Sequence, residues 1–313
     1  VAEIEDKGFK PLASSSADYR PTLGHRLQYG LVWLVFLLAN LSPRVLARFN
    51  AWLLGNFLYL VLGRRRRIAE GNLRERLGLD ARAAARTARR NFCRTVANLV
   101  DFMRLPYFTE ARRRRWMTVE GVEHLRAALA ERGGVILASA HAGPWELTSA
   151  WLSAEVAPGA ALATRQHNQL VDGFLNRLRV KAGLDVVFVD SELRPVVRAL
   201  KKNRILYVLG DQDAGPGGEF VEFLGAPASF HRGTGYFAYK LGAPVCFGFA
   251  RRGESGRLYA QIFPALHADR SADEETEVRR LTREYARALE DWVRRHPADW
   301  YWLHRRWKTK SLA

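Results

Sequence analysis

Thiols are scarce in this 313-residue chain, which carries only Cys93 and Cys246. Two cysteines exclude a disulfide framework, and nothing in them demands an oxidising compartment. Cys246 lies in an apolar run and is expected in the core. No uninterrupted apolar stretch reaches the ~20 residues of a straight membrane span. No positively charged n-region opens the chain and no small-residue cleavage site follows its apolar run, so a cleaved signal peptide is not expected. Walker-type glycine loops, internal repeats and the helical H-E-x-x-H arrangement are all absent, which leaves no sequence ground for a P-loop, a repeat array or a metal site. Acidic residues are also few. Asp and Glu total 32 against 49 Lys and Arg, a formal net charge of +17. Such an excess points to an anionic partner: nucleic acid, an acidic membrane surface or a phosphorylated substrate. The length allows one large domain or two and a substantial core.

What is present falls into three parts. Residues 1–24 mix Ser, Pro, Gly and charge without periodicity and read as a poorly ordered tail. Residues 25–67 hold the most hydrophobic segments, 27–41 (LQYGLVWLVFLLANL) and 45–63, separated by Ser42-Pro43 and closed by Arg64, Arg65, Arg66 and Arg67. Two short apolar helices with a basic flank suit a membrane-anchoring hairpin or an interfacial anchor. Each Arg beside an anionic leaflet would add about 1 kcal/mol of attraction. The competing reading is a buried helical pair of a soluble protein.

Residues 68–313 read as an α/β domain. Ile68–Met103 is helical in pattern, with Arg86, Arg89, Arg90 and Arg94 on one basic face, and Arg112–Arg115 adds a second tetra-arginine. Val119–Arg132 reads as a short strand or turn followed by a helix. Strand patterns then recur at Val135–Ala140, Ala160–Ala163, Leu184–Val189, Ile205–Leu209, Phe220–Phe223, Ala243–Ala250 and Tyr259–Phe263. Helical patterns cover Leu170–Lys181, Leu193–Lys202 and Glu274–Arg295, and Ala226–Ser229 reads as a turn. This alternation predicts a mixed central sheet flanked by helices. Polar residues gather where strands end: His141, then Arg165 with His167 and Asn168, then Asp211 with Asp213. Substrates bind at such ends in open α/β sheets, so His141, Arg165 and Asp211 are expected to share one crevice. The closing run Trp300–Lys308 interleaves aromatic and basic residues, as if to stack on bases or lie at a membrane interface.

The sharpest motif is GGVILASAHAGPWEL, residues 133–147. A glycine breaker, a short apolar run and Pro144 at a helix start describe a strand–turn–helix corner. Across it His141 and Glu146 can converge. A carboxylate on one imidazole nitrogen would leave the other as a general base, and the N–H groups of the helix start would face a developing oxyanion. With no Ser or Cys between the two, such a base would activate a substrate hydroxyl. The plainer reading makes His141 a polar loop residue and Glu146 a carboxylate favoured by the helix dipole.

Taken in order, the apolar anchor, RRRRIAEGNL, the H-x-x-x-x-E box HAGPWE, Arg165 with Asn168, GDQDAGPGGEFVEFLGAPAS and WYWLHRRWK carry a family resemblance. The chain resembles the lipid A biosynthesis lauroyl/myristoyl acyltransferases and the related phosphatidylinositol mannoside acyltransferases from about Leu27 to Lys308. The resemblance implies a glycerolipid-acyltransferase-like fold with an N-terminal membrane anchor. It implies transfer of an acyl chain from a thioester, on acyl carrier protein or CoA, to a hydroxyl of a phosphorylated glycolipid such as a lipid A precursor. His141 would be the general base and Glu146 its orienting partner. Arg165, Asn168 and Arg177 would bind the oxyanion or a phosphate, and Asp211 and Asp213 would shape the site. No metal or cofactor beyond the thioester is implied, and no nucleic acid. The expected location is the bacterial inner membrane, with the catalytic domain on its cytoplasmic face and anionic lipid as a partner. Residues Ala142–Trp145 differ from the family's common aromatic-and-aliphatic form, which leaves the acceptor open to a phosphatidylinositol mannoside, an aminolipid or a lysophospholipid. A thioesterase and a non-enzymatic basic binder are the remaining alternatives.

Overall fold

Four helices come first in the computed structural model, which describes residues 19–188 and 194–310. They are α1 (Leu23–Leu41), α2 (Arg44–Val61), α3 (Gly63–Leu77) and α4 (Ala81–Met103). Local chemistry sets their ends. The Thr22 and Asp80 side chains accept the backbone N–H groups of His25 and Ala83, satisfying donors a helix start leaves unpaired. Ser42-Pro43 separates α1 from α2, and Gly78 closes α3 with a left-handed backbone. Two apolar helices therefore stand where the sequence puts them. The four arginines, however, open α3 rather than close α2.

The helix α2 is inverted relative to a soluble protein. It buries Ala47, Ala51, Gly55 and Asn56 and exposes Val45, Phe49, Trp52, Leu53, Phe57 and Leu60. Gly55 lies against the backbone of α4, and a Cβ there would fall 2.5 Å from Cys93 Cα. Small residues let the backbones touch while the large ones face away. On α1, Leu27, Leu31, Leu34, Leu38 and Leu41 also face outward, Leu41 at 80% exposure. No single helix among the described residues is long and apolar enough to cross a membrane. The α2–α3 pair, bent by 92°, has the length and composition only when taken together.

The rest alternates strand and helix. After α5 (Glu110–Trp116) come β1 (Met117–Glu120), α6 (Val122–Ala130), β2 (Val135–Ser139), α7 (Trp145–Glu155), β3 (Gly159–Ala163), α8 (Gln169–Lys181), β4 (Leu184–Phe188), α9 (Arg194–Lys201) and β5 (Ile205–Leu209). Then follow β6 (Glu219–Phe223), β7 (Ala226–Phe230), α10 (Gly233–Leu241), β8 (Val245–Arg252), β9 (Leu258–Ile262) and α11 (Glu274–Arg295). Seven strands form one sheet in the order β1-β9-β8-β2-β5-β3-β4, parallel except for the β8–β9 pair, with helices against it. Residues 1–18 of the expected tail, Val189 of the expected strand and Leu193 of the expected helix lie outside the described residues.

Period-2 alternation along the central strands separates two cores. Ile136, Ala138, Leu206 and Val208 face the side covered by α10 and α11, while Val135, Leu137, Ile205 and Tyr207 face the side covered by α6, α7 and α8. The apolar side of α11 read from the sequence, Val278, Leu281, Tyr285, Leu289 and Trp292, is buried.

Two sequence expectations are corrected. Ala226–Ser229 is not a turn but most of β7, which pairs antiparallel with β6. The turn is Leu224-Gly225, whose φ values of 52° and 74° suit a two-residue hairpin loop. The closing run keeps only Tyr301 and Trp307 half-exposed among its aromatics. Trp300, Trp302 and Arg306 are buried inside the fold, where three large side chains contribute more by packing than by exposure.

Candidate active site

The strands β2 and β5 are parallel neighbours, and Ser139 at the end of one pairs with Leu209 at the end of the other. Their next residues therefore meet beyond the sheet edge. After β2 the chain leaves through α7 toward β3; after β5 it leaves through β6, β7 and α10 toward β8. Departure in opposite directions opens a crevice at this point. His141 and Asp211 stand in it. Tyr285, from α11, fixes the end of β2 by donating to Ser139 O at 2.6 Å.

The corner itself is tightly constrained. Gly143 has φ 57°, and a Cβ there would lie 2.4 Å from Ala250 O at the end of β8, so only glycine fits. The closing segment locks the corner from outside. Ala142 bridges Trp300, Gly143 N donates to Asp299 O, and Tyr301 N donates to His141 O.

Asp211 grips His141 twice: its Oδ2 accepts the His141 backbone N–H at 2.9 Å, and its Oδ1 lies 2.8 Å from His141 Nδ1. Trp300 Nε1 donates to the same Oδ2 at 2.9 Å. A carboxylate only accepts, so Nδ1 carries the proton and Nε2 is the basic nitrogen. Burial disfavours the imidazolium, but the charge and hydrogen bond of Asp211, with Glu146 adding, raise the His141 pKa above 6.5. Burial pushes Asp211 the other way, and His141 and Trp300 hold it below the usual carboxylate range. The His141 side chain is 24% exposed and that of Asp211 2%, so the ring alone reaches the crevice. Trp145 meets it edge-on at 5.2 Å and Tyr301 flanks it at 6.5 Å.

The carboxylate that orients the imidazole is thus Asp211, not Glu146. Glu146 is held by Arg179 of α8, with Nη2 at 2.5 Å and Nε at 3.1–3.2 Å. Arg179 also donates to Asn176 Oδ1 at 2.6 Å, and Asn176 donates to Asp172. The spacing explains the chain of contacts: 172, 176 and 179 share one helix face. Beside this pair an apolar cleft of about 270 Å³ is lined by Thr95, Asn98, Leu99, Phe102, Trp145 and Leu147 along with Glu146 and Arg179.

The other predicted residues scatter. Arg165 follows the end of β3, two strands from β2 and on the order of 10 Å away at ordinary strand spacing; its guanidinium sits 3.9 Å over Phe188. Asn168 is buried as the N-cap of α8, accepting from Leu170 N and Val171 N and donating to His25 O and Gln28 Oε1. Its amide is occupied in tying α8 to α1. Arg177 is exposed on α8, and Arg179, two residues on, is the arginine that reaches the corner. Asp213 accepts from Thr309 Oγ1 at 2.8 Å and lies 3.5 Å from Lys308 Nζ, tying the strand end to the chain's last described residues. Among the described residues no three His, Cys, Asp or Glu side chains converge as metal ligands would.

A family model described as bacterial lipid A biosynthesis acyltransferase matches residues 20–309. The chain is 25% identical over 291 residues to the lipid A biosynthesis lauroyltransferase of Escherichia coli (strain K12), covering 90% of this chain and 93% of that protein. It is 28% identical over 217 residues to the phosphatidylinositol mannoside acyltransferase of Mycobacterium tuberculosis (strain ATCC 25618 / H37Rv), just under two thirds (66%) of each. A lipid A biosynthesis palmitoleoyltransferase of Escherichia coli (strain K12) is 24% identical over 210 residues, again 66% of each.

Proposed function

Because the chain belongs to the bacterial lipid A biosynthesis acyltransferase family and is an acyltransferase, we propose that it moves a fatty acyl group from a thioester to a hydroxyl of a phosphorylated glycolipid. The donor is an acyl carrier protein thioester or acyl-CoA, and a lipid A precursor is the leading acceptor. The observation that carries the reading is the His141–Asp211 pair, with Nε2 as the basic nitrogen; Trp145, which meets the His141 ring edge-on, also lines the apolar cleft beside Glu146 and Arg179. Nε2 takes the proton of the acceptor hydroxyl as its oxygen attacks the thioester carbonyl carbon. The carbonyl π electrons move to oxygen, and the N–H groups of Trp145–Leu147, in the first turn of α7, support that charge. The C–S bond then breaks, and the imidazolium returns its proton to the leaving sulfur. Ester and free thiol are the products. A thioester is already activated, so no covalent enzyme intermediate is needed. General-base help of ~10²–10⁴ joins the oxyanion term.

In this scheme Asp211 holds the tautomer and stabilises the imidazolium. Glu146, fixed by Arg179, adds negative charge near the ring. The apolar cleft receives the acyl chain. The outward Leu, Phe and Trp side chains of α1 and α2, with Arg64, Arg65 and Arg67 exposed at the start of α3, seat the enzyme on the cytoplasmic face of the bacterial inner membrane. A phosphatidylinositol mannoside is the second acceptor to test, favoured by the relative at 28% identity.

Purified protein in mixed micelles with acyl carrier protein thioester and either acceptor should give free thiol and an equal amount of acylated lipid by mass spectrometry. His141→Ala should lower the rate at least 10³-fold. Thiol release without acylated lipid would instead assign a thioesterase, and wild-type rates in His141→Ala would remove His141 from the chemistry.

A further inference from the structure

The closing segment, residues 298–310, touches the catalytic corner at one end and a second cavity at the other. Trp300 and Tyr301 hold the His141 corner. A few residues on, the segment passes α3, where Arg65 donates to Leu303 O and Arg76 lies over the Trp307 ring at 5.0 Å. Between them is a cleft of about 400 Å³. Its walls carry six cations, Arg67, Arg76, Arg305, Arg306, Lys308 and Lys310, against two carboxylates, Glu75 at 3.5 Å from Arg76 and Asp213 at 3.5 Å from Lys308. Gathering like charges in a concave space is unfavourable unless something of opposite sign occupies it.

A second feature points the same way. Three residues of this wall bury N–H donors that meet no acceptor among the described residues: Arg76 Nε, Arg306 Nε and Nη2, and Trp307 Nε1. Arg306 is 1% exposed. Its Nη1 is satisfied by Ser229 O at 2.6 Å, and its plane lies 4.1 Å over Phe230. Buried polar groups are nearly always paired. A wall that combines several cations with unpaired donors suits a ligand rich in acceptors and lacking donors, as a phosphate ester is. The cleft is also wired to the reacting side chains, because Lys308 and Thr309 both contact Asp213, two residues from Asp211.

We propose that the cleft between α3 and the closing segment is a phosphate-binding site that takes a phosphate or diphosphate group of one of the two substrates. The assignment rests on the acyltransferase reading only for the identity of the substrate. Two sources share the chemistry, the phosphates of a pantetheine-type thioester carrier and the phosphate of the glycolipid acceptor.

The probe is inorganic pyrophosphate, titrated by calorimetry into the full-length enzyme with no acyl substrate present. Wild type should bind it with salt-dependent affinity. The rim variants Arg305→Glu/Lys310→Glu and Arg76→Gln should weaken binding at least ten-fold while their melting curves still report a folded protein. Displacement of pyrophosphate by coenzyme A, with a raised KM for the donor in the rim variants, assigns the donor phosphates. Displacement by a short-chain phosphoglycolipid, with a raised KM for the acceptor, assigns the lipid phosphate. Absent binding, binding indifferent to the substitutions, or displacement by neither substrate would overturn the assignment. Because the titration needs no turnover, a failed transfer assay and a failed phosphate site remain distinguishable.

Discussion

Asp211 accepts three hydrogen bonds through two oxygens, from the His141 backbone, the His141 ring and Trp300. Such a carboxylate fixes both the tautomer and the position of the base. Glu146 stands one step further out, its charge near the ring but its bonds spent on Arg179. Glu146→Gln and Arg179→Gln should each lower kcat about 10²-fold. The double variant should fall little further, since the two act as a unit; fully multiplicative losses in a double-mutant cycle would contradict this. The sequence exposed His141 and Glu146 because they are five residues apart in one motif. It placed Asp211 in the same crevice but not on the imidazole, since that bond joins residues 70 apart and depends on β5 lying beside β2. Arg179 was missed although Asp172, Asn176 and Arg179 already share a helix face; the exposed Arg177 stood out instead.

The strand–corner–helix element was the most legible part of the chain, because a glycine breaker, a short apolar run and a proline each constrain the backbone locally. What the sequence could not supply was the reason for Gly143. Its positive φ and its contact with Ala250 O are set by the arrival of β8, more than 100 residues later in the chain. Gly143→Ala should therefore cost about 1–3 kcal/mol from the backbone alone, with the clash adding to it, read as a lowered denaturant midpoint at constant m-value. An unchanged midpoint would mean that the corner relaxes freely. The β6–β7 hairpin was misread for the opposite reason. Ala226-Pro227 has turn-like composition, but the bend is made by Leu224, whose positive φ no propensity would suggest. In the closing aromatic-basic run, Trp300, Trp302 and Arg306 likewise have the composition of a surface and the position of a core, while Arg305, Lys308 and Lys310 stay exposed.

At the scale of the whole molecule, the helices α1 and α2 reverse the usual arrangement, small residues inward and large apolar ones outward. Withdrawing a Leu or Phe fully from water contributes about 1.5–3 kcal/mol, so this surface would gain from the proposed contact with lipid. The apolar runs were readable from composition; the inversion was not, because it depends on Ala47, Ala51 and Gly55 facing α4. Trp52→Glu/Leu53→Glu/Phe57→Glu should reduce cosedimentation with anionic phospholipid vesicles at least ten-fold and leave the melting temperature nearly unchanged, since all three side chains already face outward. Equal vesicle binding by this variant would overturn the proposed membrane contact of α2.

His141 acting as base with Asp211 behind it connects the corner, the sheet order and the proposed reaction, and the pH dependence of acyl transfer tests it most directly. Only the neutral imidazole accepts a proton, so kcat/KM should rise with pH through a limb above 6.5, where Asp211 holds the His141 pKa. Asp211→Asn removes the largest influence opposing the effect of burial. Its limb should move to lower pH, and its plateau should fall by about 10²–10⁴-fold as the tautomer and the imidazolium lose their support. An unshifted limb with an undiminished plateau in Asp211→Asn would contradict the assignment of the pair.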